Sequence, residues 1–164
     1  MCSTLRKSYG YLTGSYVRDK DSVDGAYMIC EMFSYYATQD ISLIDKLDEL
    51  YKTYGYCLNT LHSYEFNSNA GFAKMQSIMQ AFRGDIKEFG GKKVVKLLDY
   101  ALGLDGLLMS DVLKFLLKDN CSLVVRPSGT EPKLKTYISV SAENKEAAEK
   151  VEVEIAKDSE KWFD

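Results

Sequence analysis

The stretch that most limits how this chain can fold lies near its end, where two strand-like runs flank Val125-Arg126-Pro127-Ser128-Gly129-Thr130-Glu131-Pro132-Lys133. Before it comes the short, β-branched Ser122-Leu123-Val124-Val125. After it, Leu134, Ile138 and Val140 alternate with Lys135, Tyr137 and Ser139, the period of a half-buried strand. The joining loop holds a basic side chain, two hydroxyls and a glycine, bracketed by the only two prolines of the chain. Gly129 lets a backbone N–H approach a ligand closely, and successive N–H groups in a tight turn form an anion-binding concavity. Ser128 and Thr130 add hydroxyl donors, Arg126 a fork that matches phosphate geometry, and Lys133 a mobile point charge. The prolines stiffen the loop and lower the entropy lost on binding. Two readings stand side by side, a phosphate site and an ordinary hairpin turn.

The rest of the chain supplies layers for that hairpin. Ser8 to Val17 is aromatic and glycine-punctuated, a loop, and Arg18-Asp19-Lys20-Asp21 reads as a solvated turn before an N-cap at Ser22. Val23, Ala26, Tyr27, Cys30, Phe33 and Ala37 share one face of a helix over 23–37. Ser42 and Asp45 form a capping box for a second helix with a stripe of Leu43, Leu47, Leu50, Tyr51 and Tyr54, stopped by Gly55. Such a helical hairpin is too small to bury much surface alone, so Leu47, Leu50 and Tyr51 are expected to bury against the domain that follows.

From Tyr56 to Phe66 the composition suits a strand, and Asn67-Ser68-Asn69 a turn and cap. Phe72, Met75, Ile78, Met79 and Phe82 make a helix stripe closed by Gly84, and Gly90-Gly91 a hairpin-like turn. Strands follow at 94–100 and 112–117, then the hairpin, then a helix from about Glu143 to Lys157. In that helix Ala148, Val151 and Ile155 face inward, Glu146 pairs with Lys150, and the acids from Glu143 to Glu154 lie on a solvated face. The order predicts an α+β fold, a mostly antiparallel sheet with helices on one face.

No run of eighteen apolar residues occurs, so no membrane span is expected, and Met1 to Lys7 lacks the apolar core of a signal peptide. Four scattered cysteines without a CxxC pair read as reduced thiols in a cytoplasmic protein. A net charge of −3 gives no reason to expect nucleic acid as a partner.

Arg-Pro-Ser-Gly-Thr-Glu-Pro-Lys closely resembles the phosphate-binding loop in the last domain of the α-D-phosphohexomutases, the phosphoglucomutase and phosphomannomutase group. The resemblance implies a TATA-binding-protein-like C-terminal domain over residues 54–164. Residues 1–53 resemble the end of the preceding sugar-recognition domain, through Ser8-Tyr9-Gly10-Tyr11-Leu12 and Arg18-Asp19-Lys20-Asp21. It further implies that Arg126, Ser128, Gly129, Thr130 and Lys133 hold a substrate phosphate, that Lys20 assists proton transfer, and that Ser8 belongs to the sugar loop. Arg6 and Lys7 stand where that loop carries glutamates, and a lysine cannot accept the hydrogen bonds of sugar hydroxyls. The family's phosphoserine loop and its Asp-x-Asp-x-Asp magnesium site do not occur in this sequence. The expectation is therefore the phosphosugar-binding part of a mutase that interconverts hexose 1- and 6-phosphates, inactive alone. Mg²⁺, a sugar bisphosphate activator and the N-terminal domains belong to the full-length enzyme.

Rival sites are thin. His62, the only histidine, makes with Cys57 a lone pair far short of zinc's four ligands and reads as a strand histidine. Cys121 has no visible acid–base partner. Two alternatives to the mutase reading remain: a stand-alone phosphosugar-binding module, and a structural domain whose loop is unused.

Overall fold

A computed structural model describes residues 14, 21–66, 70–129 and 131–163, which fall in two compact units, Met1–Thr53 and Tyr54–Asp164. In the first unit α1 spans Ser22–Ala37 and α2 Leu43–Tyr54. Asp21, not Ser22, caps α1: its carboxylate accepts from the N–H groups of Val23 (2.7 Å) and Asp24 (3.2 Å). A carboxylate is the better cap here because it also meets the positive end of the helix dipole. The capping box of α2 forms as read, with the Asp45 N–H donating to Ser42 Oγ at 3.1 Å and the Ser42 N–H to Asp45 Oδ2 at 3.4 Å. The apolar stripes do not bury. Val23 is 77% exposed, Tyr27 66% and Phe33 60%, and within their own unit Leu47 and Leu50 also stay exposed, at 45% and 43%. The pattern fixes which side of each helix is apolar but supplies no surface to cover it.

Gly55, at φ +85°, ends α2 and turns the chain into the second unit. Here β1 (Tyr56–Glu65), α3 (Gly71–Phe82), β2 (Glu88–Phe89), β3 (Lys92–Asp99), β4 (Leu113–Leu117), β5 (Cys121–Pro127), β6 (Lys133–Ala142) and α4 (Lys145–Glu160) follow in order. Among the described residues six strands make one antiparallel sheet, ordered β1-β6-β5-β4-β3-β2. This is the α+β architecture expected from the sequence. Every second residue of β4, β5 and the first part of β6 is buried, the period-2 alternation of strands covered on one side.

Helices α3 and α4 cover that side and share its core. Met75, Ile78, Met79 and Phe82 of α3 meet Phe115, Leu123, Val125, Leu134 and Ile138 of the sheet, together with Ala148 and Ile155 of α4. Phe82 is the hub, with ring centroids 6.0–6.3 Å from Phe89, Phe115, Trp162 and Phe163. Phe72 departs from the expected stripe at 51% exposure. Helical period sets angle about the axis, not how far along it the sheet extends.

On α4 the i,i+4 ion pair is Lys145–Glu149 at 3.7 Å, in place of the expected Glu146–Lys150. Glu152, taken as solvated, is 7% exposed, because it stands on the inward stripe of Ala148, Ile155, Ala156 and Ser159. Gly90 lies under this helix. A Cβ there would fall 2.6 Å from the Ile155 backbone nitrogen, and its N–H donates to Asp158 Oδ2 at 2.6 Å. No helix among the described residues is long and apolar enough to cross a membrane.

Candidate phosphate-binding site

The loop singled out by sequence is the β5–β6 connection, and the strand ends fix its base. Arg126 lies opposite Lys135 and Pro127 opposite Leu134. Beyond them the Ser128 N–H donates to the Lys133 carbonyl at 2.7 Å, and the Lys133 N–H to the Glu131 carbonyl at 2.7 Å. The loop is also tied sideways, since the Phe66 N–H at the end of β1 donates to the Pro132 carbonyl at 2.9 Å. Gly71, the first residue of α3, closes the base from the other side. A Cβ there would lie 2.2 Å from the Phe66 carbonyl oxygen and 3.0 Å from Pro132 Cβ, so only glycine fits without movement. The loop is thus seated by three elements and is pre-organised in the sense that lowers binding cost.

Its polar groups fall into two sets. The Lys133 ammonium is engaged by the protein, 3.0 Å from Glu65 Oε1 and 3.1 Å from Glu131 Oε2. The hydrogen bond to Glu65, then that to Glu131, raises its pKa above the ordinary lysine value, so it stays cationic. Arg126 is exposed and has no ion-pair partner among the described residues. Ser128 is half-buried and Gly129 exposed. A Cβ built on Gly129 would meet nothing within 4 Å, and its φ lies outside the left-handed region. Neither strain nor the chain's own packing demands a glycine there, so the open side is the solvent side. Thr130, Lys20 and Ser8 lie outside the described residues.

Sequence reading missed Glu65 and Glu131 as the partners of Lys133. Glu131 is two residues away and was within reach of a charge-pair argument. Glu65 is brought in by the β1–β6 register, which pairs it with Lys133 across the strands.

The other polar clusters are committed elsewhere. His62 Nε2 lies 2.6 Å from Glu152 Oε1, and the Thr60 hydroxyl donates to the same oxygen at 2.6 Å. This explains how a carboxylate is tolerated in the core layer. The Tyr64 hydroxyl donates to Glu160 at 3.0 Å, and burial, with that carboxylate beside it, pushes its pKa up to about 12. Cys121 is 3% exposed and its thiol reaches only the Asp119 carbonyl, at 3.5 Å. Cys30, Cys57 and Cys121 are free thiols.

A cleft of about 370 Å³ lies off β3, lined by Arg83, Lys96, Leu97, Leu98, Asp99, Leu102 and Leu104. Its arginine is already spent on Asp99 (2.8 Å) and Asp111 (2.7 Å). A magnesium ion asks for several converging oxygen ligands, and among the described residues no three His, Cys, Asp or Glu side chains converge. The open side of the loop carries the donor side chains of Arg126 and Ser128, a chemistry suited to an anion.

Comparison with known proteins follows the same lines. The family model of the phosphoglucomutase/phosphomannomutase C-terminal domain matches residues 68–158. The phosphoglucomutase of Staphylococcus aureus (strain MSSA476) is 34% identical over 156 residues, covering 88% of this chain and 28% of that protein. That of Staphylococcus epidermidis (strain ATCC 35984) is 29% identical over 149 residues, covering 84% and 27%. The crystal structure of the exocytosis-sensitive phosphoprotein pp63/parafusin, a phosphoglucomutase from Paramecium in its open form, overlays with a TM-score of 0.59. That overlay covers 92% of this chain and 27% of the other at 16% identity, a likeness of fold. The chain spans about 28% of the length of the curated relatives it matches. With loop, sheet and family match in agreement, this chain belongs to the phosphoglucomutase/phosphomannomutase family and carries its C-terminal domain.

Proposed function

We propose that this chain is the phosphosugar-gripping part of a phosphoglucomutase or phosphomannomutase, an intramolecular phosphotransferase that interconverts hexose 1- and 6-phosphates. The observation that carries the reading is Arg126. It is a guanidinium without an ion-pair partner among the described residues, beside the open backbone of Ser128 and Gly129, in a chain of net charge −3. Arg126, Ser128, Gly129 and Thr130 then take the phosphoryl oxygens. Lys133 adds charge from its place between Glu65 and Glu131, and becomes a direct ligand if a dianion draws it off one carboxylate. The first unit, 1–53, is the end of the preceding sugar-recognition domain, with Ser8 at the sugar and Lys20 assisting proton transfer. Free thiols are in keeping with a cytoplasmic enzyme.

Phosphoryl transfer runs on positioning and charge neutralisation around a nucleophile and, in most such enzymes, a metal. The phosphoserine and magnesium strings are absent from this sequence, so the chain binds but does not turn over alone; the serine-bearing domains and the sugar bisphosphate belong to the complete enzyme. Titration with glucose 1-phosphate, followed by ¹H–¹⁵N spectra, is expected to move resonances of Ser128 to Thr130 at millimolar affinity. The double variant Arg126→Ala, Ser128→Ala abolishes the shifts, and unchanged binding in it would place the site elsewhere. Mutase turnover by the purified chain with Mg²⁺ and bisphosphate would refute the division of labour.

A further inference from the structure

The two edges of the sheet are finished differently. At one edge β2 is two residues long, and the strand behind it, β3, carries Lys92, Lys93 and Lys96 and a shift of register between Val94 and Lys96. A short outer strand, lysines and a bulge are devices that keep an edge from pairing with another chain. At the other edge β1 has none of them. It runs ten residues, Tyr56–Glu65, in unbroken register with β6, without lysine, arginine, proline or glycine. Its one acid, Glu65, is held by Lys133 at 3.0 Å.

Parity decides which backbone groups of β1 stay open. The Phe66 N–H donates to the Pro132 carbonyl at 2.9 Å, toward β6, while on the far side of β6 the Ser128 N–H reaches the Lys133 carbonyl at 2.7 Å. Backbone groups alternate sides along an antiparallel strand. The N–H and C=O groups of Cys57, Asn59, Leu61, Ser63 and Glu65 therefore point away from the sheet, and among the described residues no backbone partner meets them. A second β1, laid antiparallel with its two-fold axis at Leu61, satisfies all of them. Leu61 then faces Leu61 of the second copy, Asn59 faces Ser63, and Cys57 faces Glu65, each pair exchanging both its hydrogen bonds. Shifting the centre in either direction leaves at least one of these residues unpaired. On the helix side Thr60 faces His62 and Leu58 faces Tyr64, all half-buried side chains at the rim. No charge meets a like charge in this register. A strand that meets itself in this way makes the isologous contact of a two-fold dimer.

We infer that the open edge of β1 is a self-association surface, at which two copies of this chain pair β1 to β1 and join their sheets into one. A second copy is the occupant that the edge itself specifies, since the strand's own sequence completes the ladder without an opposed charge. The surface does not depend on the phosphate-loop reading. Strand pairing alone buries less area than a standard interface, so the dimer is weak and concentration-dependent.

Sedimentation velocity of the intact chain from micromolar to millimolar concentration should show a monomer passing to a dimer. Amide hydrogen exchange followed by ¹H–¹⁵N spectra reads the register. In dilute solution Thr60 and His62 should be protected and Asn59, Leu61 and Ser63 open; on concentrating, the open set should slow by about tenfold or more. Leu61→Pro removes the central N–H of the outer edge but no bond of the β1–β6 ladder, and proline is tolerated on an edge strand whose N–H side faces solvent. It should abolish the dimer with the sheet still folded. If Leu61→Pro lowers the thermal midpoint, Leu61→Lys supplies the same reading by setting like charges opposite each other across the two-fold axis. Phe33→Glu, on α1 at 60% exposure, is the control and should leave the dimer intact. A chain that stays monomeric to millimolar concentration, a dimer that survives Leu61→Lys, or a dimer whose Asn59, Leu61 and Ser63 amides exchange as fast as in dilute solution would overturn the pairing. A dimer lost in Phe33→Glu but kept in Leu61→Lys would move the association to α1 and overturn it as well.

Discussion

Helices α1 and α3 are both rich in large apolar side chains, yet α3 buries Met75, Ile78, Met79 and Phe82, whereas the buried residue of α1 is Gly25. The difference lies in what each has to lean on. A six-stranded sheet offers α3 a broad apolar face built by Leu123, Val125, Leu134 and Ile138. Among the described residues the α1–α2 hairpin has no such platform within its own unit, and a pair of helices alone cannot enclose the surface that a core requires. Amphipathic spacing states which side of a helix seeks cover; only a second layer decides whether it is found.

That contrast can be broken or sharpened by substitution. Phe82→Ala removes the hub of the aromatic cluster and should cost about 3–5 kcal/mol in urea unfolding. Phe33→Ala, at 60% exposure, should stay within about 0.5 kcal/mol. Equal costs would mean that α1 is packed as tightly as α3.

The next effect separates two adjacent glycines. Gly90→Ala and Gly91→Ala both place a side chain at positive φ, but only Gly90 faces α4, while a Cβ at Gly91 meets nothing within 4 Å. Gly90→Ala should cost about 1–3 kcal/mol more than Gly91→Ala; matching losses would mean that backbone strain alone accounts for both.

Smaller still is the Arg83 pair. The guanidinium bonded to Asp99 holds that carboxyl below its ordinary value of 3.8. A depressed carboxyl stabilises above its unfolded pKa, and the contribution is lost as pH falls through the lower folded value. Asp99→Asn should therefore be about 1–2 kcal/mol less stable at neutral pH, and its stability should fall less steeply than the parent's below pH about 4. Parallel acid profiles would argue against the pairing.

The smallest effect belongs to Tyr64. A phenol whose pKa is raised to about 12 favours the fold below the unfolded value of 10.0 and loses that contribution as pH climbs through 12. Tyr64→Phe should flatten the decline in stability over that window and remove one phenol's absorbance change near pH 12 from the ultraviolet tyrosine titration.

Much of the second unit was legible from residue order. A short β-branched run located β5, period-2 alternation β6, Gly90-Gly91 the β2–β3 turn, and Ser42 with Asp45 the start of α2. What could not be read came from the third dimension. Glu152 looked solvated because its partners, Thr60 and His62, arrive from a strand some ninety residues earlier. Its place in a ladder with Ala148 and Ala156, plus a lone histidine needing an acceptor, were the available hints. The Glu65–Lys133 bond and the Arg126–Lys135 opposition are products of register. Register is set by the whole hydrophobic pattern of a sheet, not by any short motif.

The root of the β3–β4 crossing has a consequence of its own. Asp99 and Asp111 flank this crossing and share one guanidinium, while Leu107, Leu108 and Met109 between them stand 58%, 92% and 76% exposed. A connection anchored at its stem in this way can lengthen, shorten or change its tip without the sheet registering it. This rim, at the same end of the sheet as the β5–β6 turn, is therefore free to change its tip while the packed side chains beneath it stay put.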